Sequence, residues 1–91
     1  MNQETILVIV KGNVQGVFYR QSTREKASEL GITGKVTNME DGSVQIIATG
    51  SPEKLQKLTD WCRVGPPKAR VSDIEIKKLE LQLFDRFAIT R

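Results

Sequence analysis

The sequence contains no histidine and only one cysteine among its 91 residues. Histidine is the commonest general acid or base in enzymes and the commonest protein ligand of transition metals, so its absence disfavours metal hydrolases and histidine-activated nucleophiles. The single Cys62 cannot form an internal disulfide, which agrees with a reducing compartment, and no histidine is present to activate its thiol. We therefore expect neither a metal site nor a cofactor.

Long apolar segments are also missing. The longest uninterrupted apolar run covers residues 6–10, which is far too short to cross a bilayer, and no signal segment opens the chain. These absences predict a cytoplasmic protein with no membrane partner. With 38% hydrophobic and 27% charged residues, the composition is ordinary for one small globular domain over residues 1–91. The net charge of +3 mildly favours anionic ligands but does not indicate nucleic acid.

The first half of the chain predicts a strand, a helix and a hairpin. Residues 5–11 are rich in Ile and Val and predict a central strand that is buried on both faces. Residues 21–30 predict an amphipathic helix, which Gly31 terminates. Residues 33–39 and 43–49 predict the two strands of a hairpin, with Asp41-Gly42 as its tight turn.

The second half predicts a helix and a long strand. Ser51 can cap the helix, Pro52 suits its first position, and the apolar residues at helical spacing predict a buried stripe, which consists of Leu55, Leu58, Trp61 and Cys62. At this spacing Trp61 is expected in the core rather than in a binding site. Gly65-Pro66-Pro67 ends the helix, residues 69–79 predict a strand, and residues 84–90 allow a short edge strand.

These elements favour one α+β architecture. Right-handed crossovers and a single hairpin predict a ferredoxin-like βαββαβ sandwich, with an antiparallel sheet of order 4-1-3-2 and both helices on one face. A short fifth strand is allowed at the edge of this sheet. The architecture alone does not select a function, because it is used by RNA readers, sensors and enzymes.

Residues 12–20, with the sequence GNVQGVFYR, are the most informative segment. Gly12 and Gly16 let the chain curl so that neighbouring N–H groups converge, and a following helix N-terminus adds unpaired donors. The planar fork of Arg20 suits a phosphoryl group bidentately. The spacing matches neither a Walker loop nor G-x-G-x-x-G, so nucleotide binding is disfavoured. The alternative is that the glycines only turn the chain and Arg20 lies on a solvated helix face.

Asn38 is expected at the same edge of the sheet as Arg20. After Arg20 the chain descends a helix of roughly 16 Å and returns along a strand of roughly 16 Å. The neutral amide of Asn38 can hold a water molecule through a hydrogen bond. The alternative role is a cap on the Asp41-Gly42 turn.

The chain resembles the acylphosphatase family. The resemblance begins with the pattern G-x-V-Q-G-V-x-x-R over residues 12–20 and continues in order through Leu30-Gly31, Gly34, Val36, Asn38, Asp41-Gly42-Ser43-Val44, Gly50, Gly65-Pro66-Pro67, Ala69, Val71 and Phe87. It implies that Arg20 binds the phosphoryl oxygens together with loop amides and that Asn38 orients the attacking water. The phosphate-binding segment that it implies consists of Asn13, Val14, Gln15, Gly16, Val17, Phe18, Tyr19 and Arg20.

The function implied by the resemblance is hydrolysis of acyl phosphates to a carboxylate and inorganic phosphate. A carboxylate leaves without a general acid, so the absence of histidine is no obstacle. The resemblance also suggests that the bound phosphoryl group accepts the proton of the water. A noncatalytic accessory domain that binds phosphate or carbamoyl phosphate is the alternative, and a plain interaction domain is a further one. An RNA-binding module is disfavoured because residues 6–10 and 43–49 lack aromatic side chains for base stacking. We expect a monomer.

Overall fold

The computed structural model describes residues 2–90, which form five strands and two helices. Their bounds are β1 (Glu4–Asn13), α1 (Tyr19–Glu29), β2 (Thr33–Asn38), β3 (Val44–Gly50), α2 (Pro52–Cys62), β4 (Arg70–Leu79) and β5 (Phe87–Thr90). The predicted order of elements is therefore confirmed. Helix α1 begins two residues earlier than predicted, and β5 is shorter than residues 84–90. Neither helix is long and apolar enough to cross a membrane.

The strands form one sheet with the order β4-β1-β3-β2-β5. The predicted order of the first four strands and the fifth edge strand are confirmed, but the sheet is mixed rather than purely antiparallel. Strand β5 pairs in parallel with β2, whereas the other neighbours pair antiparallel. The direction of β5 follows from the path of the chain. Strand β4 runs opposite to β2, and the chain reverses its direction after β4. Strand β5 therefore runs parallel to β2 when it pairs with the outer edge of β2.

The connection from β4 to β5 is fastened to the sheet by a closed ring of three hydrogen bonds. The N–H of Gln82 donates to Thr5 Oγ1 at 2.8 Å, and the Thr49 hydroxyl donates to the Gln82 carbonyl at 2.7 Å. The hydroxyls of Thr5 and Thr49 share the third bond at 2.6 Å, in which either oxygen can be the donor. Both threonine side chains are buried, and the ring satisfies them.

Both helices cover the same face of the sheet, as predicted. Helix α1 packs on β2 and β5, and α2 packs on β1 and β3. Alternate residues of the central strands point into this layer, and they are Ile6, Val8, Val10, Val36, Val44, Ile46 and Ala48. The prediction that β1 is buried on both faces is wrong, because Leu7 and Ile9 on its other face are only half-buried. Neither α1 nor α2 covers that face.

The ends of the helices follow their local sequence signals. Gly31, at φ 73°, terminates α1: its N–H donates to Ser28 and the N–H of Ile32 donates to Ala27, as in a Schellman motif. Ser51 caps α2 by accepting the N–H of Lys54. Trp61 is half-buried against the core, where its ring lies 5.6 Å from that of Tyr19.

The β2–β3 hairpin turns at the predicted place but with a longer connection. The N–H of Gly42 donates to the Met39 carbonyl and the N–H of Met39 donates to the Ser43 carbonyl, so residues 40–42 form a three-residue turn. The Asp41 carboxylate accepts the hydroxyl of Ser43 at 2.6 Å and its N–H at 2.9 Å. These two bonds hold the pKa of Asp41 below its ordinary value of 3.8, and the bond from the Ser43 hydroxyl has the larger effect.

Gly34 allows β2 to approach β3 closely, and replacing it should destabilise the sheet. Its φ is 146°, and an added Cβ would lie 1.9 Å from the Ile47 carbonyl oxygen. We expect Gly34→Ala to lower the free energy of unfolding by about 2–4 kcal/mol in urea denaturation. Gly42→Ala is the control, since Gly42 also has positive φ but its added Cβ meets nothing within 4 Å. Its expected cost is about 1 kcal/mol, and equal losses would contradict the steric role of Gly34.

Asp41 should stabilise the hairpin only while it is ionised. Because its folded pKa is lowered, its contribution is present above the ordinary value of 3.8 and is lost as pH falls through the folded pKa. We expect Asp41→Asn to have a lower Tm than the wild-type chain at pH 7, and we expect this difference to shrink as pH falls below 4. A difference in Tm that stays constant down to pH 2 would contradict the assignment.

Candidate active site

The segment between β1 and α1, residues 14–18, carries two left-handed residues. Gly16 has φ 75° and Phe18 has φ 64°. Phe18 is also 71% exposed, so burial of its side chain does not offset the backbone strain. Gly12 has a different role from the predicted one: it lies inside β1 at a register shift, where an added Cβ would be 2.1 Å from the Arg70 carbonyl oxygen.

The backbone N–H groups of this segment have no acceptors within the described chain. Phe18 is the N-cap of α1 and its side chain cannot accept a hydrogen bond. The first N–H groups of α1 therefore lack the usual partner. Between residues 2 and 90, the hydrogen bonds include none donated by the N–H groups of residues 14–21. The segment is thus a concentrated source of hydrogen-bond donors, reinforced by the positive end of the helix dipole.

Arg20 lies in the first turn of α1, where its half-buried side chain borders a cavity of about 310 Å³. The ion pairs found among residues 2–90 join Lys11 to Glu75, Lys26 to Glu29 and Lys78 to Glu4, and none of them involves Arg20. The guanidinium is therefore not neutralised by a described carboxylate. The side chain of Arg20 is therefore partly shielded on its helix face, and its binding role stays a prediction.

Asn38 lies at the end of β2 and lines the same cavity. Its Oδ1 is buried and accepts no hydrogen bond from any residue in the described part of the chain. A buried amide oxygen without a partner is unusual, because it loses the hydrogen bonds of water without replacement. The alternative role as a cap on the turn is wrong, since the side-chain bonds to the turn come from Asp41 and Gln15.

The cavity includes most, but not all, of the residues that the sequence singled out. Its lining consists of Val14, Gly16, Phe18, Tyr19, Arg20, Gln21, Asn38 and Ile89. Asn13 instead ends β1 opposite Arg70, Gln15 directs its amide to the hairpin, and Val17 packs against the core. The structure brings Arg20 and Asn38 together as expected, while the binding roles of these residues stay predictions.

Two residues of the cavity were not identified from the sequence. Gln21 directly follows Arg20 in the first turn of α1, so its place in the sequence could have identified it as a neighbour of the cavity. Ile89 reaches the cavity because β5 pairs with β2, which places Ile89 opposite Val36. No local pattern in residues 87–90 specifies that pairing, so the sequence offered no comparable signal for Ile89.

A second depression, of about 650 Å³, borders the hairpin on the other side of Asn38. It is larger, but its charged residues are Lys11, Glu40, Asp41 and Glu75, and Lys11 is paired with Glu75 at 3.1 Å. The excess of carboxylates would repel a phosphoryl anion. The smaller cavity is lined by Arg20 and by no carboxylate, so its charge is more favourable to an anion than that of the depression.

The buried polar groups behind the cavity are structural. The Tyr19 hydroxyl donates to the Cys62 carbonyl at 2.7 Å, and burial raises the pKa of Tyr19, so the phenol stays a neutral donor. Burial also raises the pKa of the Cys62 thiol to about 12. The thiolate is therefore scarce at neutral pH, which removes Cys62 as a nucleophile.

Comparison with known proteins identifies the family to which this site belongs. The sequence model of the family described as Acylphosphatase matches residues 6–89. An acylphosphatase of Shewanella amazonensis is 49% identical over 87 residues, which cover 94% of this chain and 96% of that relative. The solved acylphosphatase of Coxiella burnetii has a TM-score of 0.95 and 39% identity, with 98% of this chain and 94% of that chain covered.

A second solved structure, the acylphosphatase of Bacillus subtilis, agrees. It has a TM-score of 0.93 and 33% identity, and the match covers 96% of this chain and 98% of that chain. The family model extends over both helices and the sheet, including the first turn of α1, which carries Arg20, and the strand that carries Asn38. On these grounds the chain belongs to the acylphosphatase family.

Proposed function

We propose that the chain hydrolyses acyl phosphates to a carboxylate and inorganic phosphate in the cavity bordered by Arg20 and Asn38. The observation that carries the proposal is the buried, unpartnered Oδ1 of Asn38 beside an arginine that no described carboxylate neutralises. The Asn38 Oδ1 can accept a hydrogen bond from a water molecule, and the Arg20 guanidinium can bind an anion. Membership of the acylphosphatase family supports this reaction over the alternative of a noncatalytic phosphate-binding domain.

In this proposal the phosphoryl group binds to the loop and to Arg20. The N–H groups of residues 14–20 are available as donors, because none has an acceptor among the described residues, and the guanidinium adds two parallel donors and a charge. Such fixed donors stabilise the charge on the phosphoryl oxygens throughout the transfer. Asn13 is at the edge of this set, because it belongs to β1 and does not line the cavity.

Asn38 orients the attacking water in the same proposal. Its Oδ1 accepts a hydrogen bond from the water, which directs a lone pair of the water oxygen towards phosphorus. A neutral amide is suited to this task, since a carboxylate at the same position would repel the phosphoryl group. Asn38 thus lowers the barrier by holding the water in place before it reacts, and it does not itself transfer a proton.

The remaining steps need no side-chain acid or base. The water oxygen forms a bond to phosphorus while the bond from phosphorus to the acyl oxygen breaks, and the acyl oxygen leaves with the electron pair. The leaving group is a carboxylate whose conjugate acid has a pKa of about 4, so it departs unprotonated. A phosphoryl oxygen accepts the proton of the water, and the products are carboxylate and inorganic phosphate.

We also propose that the protein acts as a cytoplasmic monomer that does not bind nucleic acid. The buried free thiol of Cys62 is consistent with a reducing compartment. The central strands β1 and β3 contain no aromatic residue that could stack on a base. Sedimentation of the purified chain tests the oligomeric state.

Replacing Asn38 by alanine should abolish most turnover without preventing phosphate binding. We expect kcat to fall by about 100-fold or more, because only the water loses its partner. The inhibition constant of inorganic phosphate should change by less than about threefold. The measurement is hydrolysis of a synthetic acyl phosphate with and without competing phosphate, and the exposed Asn2→Ala is the control. Undiminished turnover would remove Asn38 from the mechanism.

Replacing Arg20 by lysine should weaken phosphate binding although the charge is kept. The ammonium cannot form two parallel bonds to a phosphoryl group, so we expect the phosphate inhibition constant to rise about tenfold or more. Arg24→Lys, one turn further along α1 and exposed, should leave that constant unchanged. If both variants bind phosphate like the wild-type chain, Arg20 is not the phosphoryl ligand.

A further inference from the structure

The side chain of Gln15 joins the loop to the hairpin. Its Nε2 donates to the Met39 carbonyl at 2.8 Å and to the Ser43 carbonyl at 2.9 Å, across 24 and 28 residues of sequence. An amide nitrogen has two hydrogens, so both donors are used and the orientation of the amide is fixed. Gln15 does not line the cavity, and direct contact with a ligand does not account for these bonds.

The two carbonyls belong to the segment that sets the position of Asn38. Met39 follows Asn38 directly, and its N–H bonds to the same Ser43 carbonyl that accepts the Gln15 amide. The Asn38 Oδ1 has no partner among residues 2–90, so its location depends on the backbone at the end of β2. Among the hydrogen bonds of residues 2–90, the two from Gln15 are those that join residues 14–18 to the hairpin.

We infer that Gln15 is a positioning residue that fixes the separation between the phosphoryl-binding loop and the water-binding Asn38. This inference rests on the proposed function. It assigns to the Gln15 side chain a role apart from phosphate binding, since only the Gln15 backbone N–H belongs to the donor set. In-line attack needs the water and the phosphoryl group in one alignment, and a displacement of about 1 Å can reduce a rate about 100-fold.

Loss of the Gln15 amide should therefore lower kcat and spare phosphate binding. The loop N–H groups and Arg20 are intact in Gln15→Ala, whereas the hairpin is no longer tied to the loop. We expect kcat to fall by about tenfold to 100-fold and the phosphate inhibition constant to change by less than about threefold. Gln56→Ala is the matched control, because the Gln56 side-chain amide donates to Asp60 on the surface of α2, and we expect its loss to leave both quantities unchanged.

A double-substitution cycle separates positioning from general stabilisation. If Gln15 acts through Asn38, adding Gln15→Ala to Asn38→Ala should lower the residual kcat by less than about twofold. An unrelated structural defect would lower kcat by the same factor in both backgrounds. That result, or a Gln15→Ala enzyme with unchanged kcat, would overturn the inference. Failure of wild-type turnover, or an Asn38→Ala enzyme that is fully active, would instead overturn the proposed function.

Gln15→Glu provides a nearly isosteric variant for the case in which the alanine variant unfolds. An ionised glutamate has no donor and faces two carbonyl oxygens, whereas its protonated form regains one donor. The ratio of wild-type to Gln15→Glu kcat should therefore decrease as pH falls from 7 to 4.5, with both enzymes measured at each pH. The ratio for Gln15→Ala, where that variant folds, should stay flat over the same range. A pH-independent ratio for the glutamate variant would contradict the role of the amide donors.

Discussion

A surplus of backbone hydrogen-bond donors is the constraint around which this protein is organised. The N–H groups of residues 14–21 have no acceptors within the described chain, because they lie between the end of β1 and the first turn of α1. Water can satisfy such donors where the segment is exposed, and an anionic ligand can satisfy several of them at once. Phe18 holds left-handed backbone geometry at the same place, which is a cost located at the site rather than in the core.

The chemistry of the site matches the narrow set of side chains that the sequence provides. Attack on an acyl phosphate needs an anion site and an oriented water, because the leaving group is already a stable anion. An arginine and an asparagine are sufficient for these tasks, and the buried tyrosine and cysteine behind them serve packing. In the proposed mode of binding, the carboxylates border the hairpin depression and not the cavity that would hold the phosphoryl group.

The sequence predicts those features that depend on local signals. The Ser51 cap, the Gly31 terminus and the strand predicted over residues 43–49 each follow from a few neighbouring residues, and the structure confirms them. The juxtaposition of Arg20 and Asn38 was also predictable, since a helix and a strand of equal length return the chain to the same level.

Features that depend on tertiary packing could not be predicted in this way. The role of Gly12 as a close-approach residue is set by β4, which lies nearly sixty residues further along the chain. The parallel pairing of β5, and therefore the presence of Ile89 in the cavity, depends on which strand edge remains open. The two bonds of the Gln15 amide likewise depend on a hairpin that its own neighbours do not specify. In each case the role of a residue depends on a contact with backbone atoms that are far away in the sequence.

Strand β5 has a consequence for solubility as well as for the site. It covers the outer edge of β2 with only four residues, and that edge would otherwise offer open backbone groups to other chains. The same four residues carry Ile89, a wall of the cavity. Fraying of this short strand would therefore remove a wall of the cavity and expose a template for intermolecular sheet growth in one event, which would link loss of the cavity to the onset of aggregation.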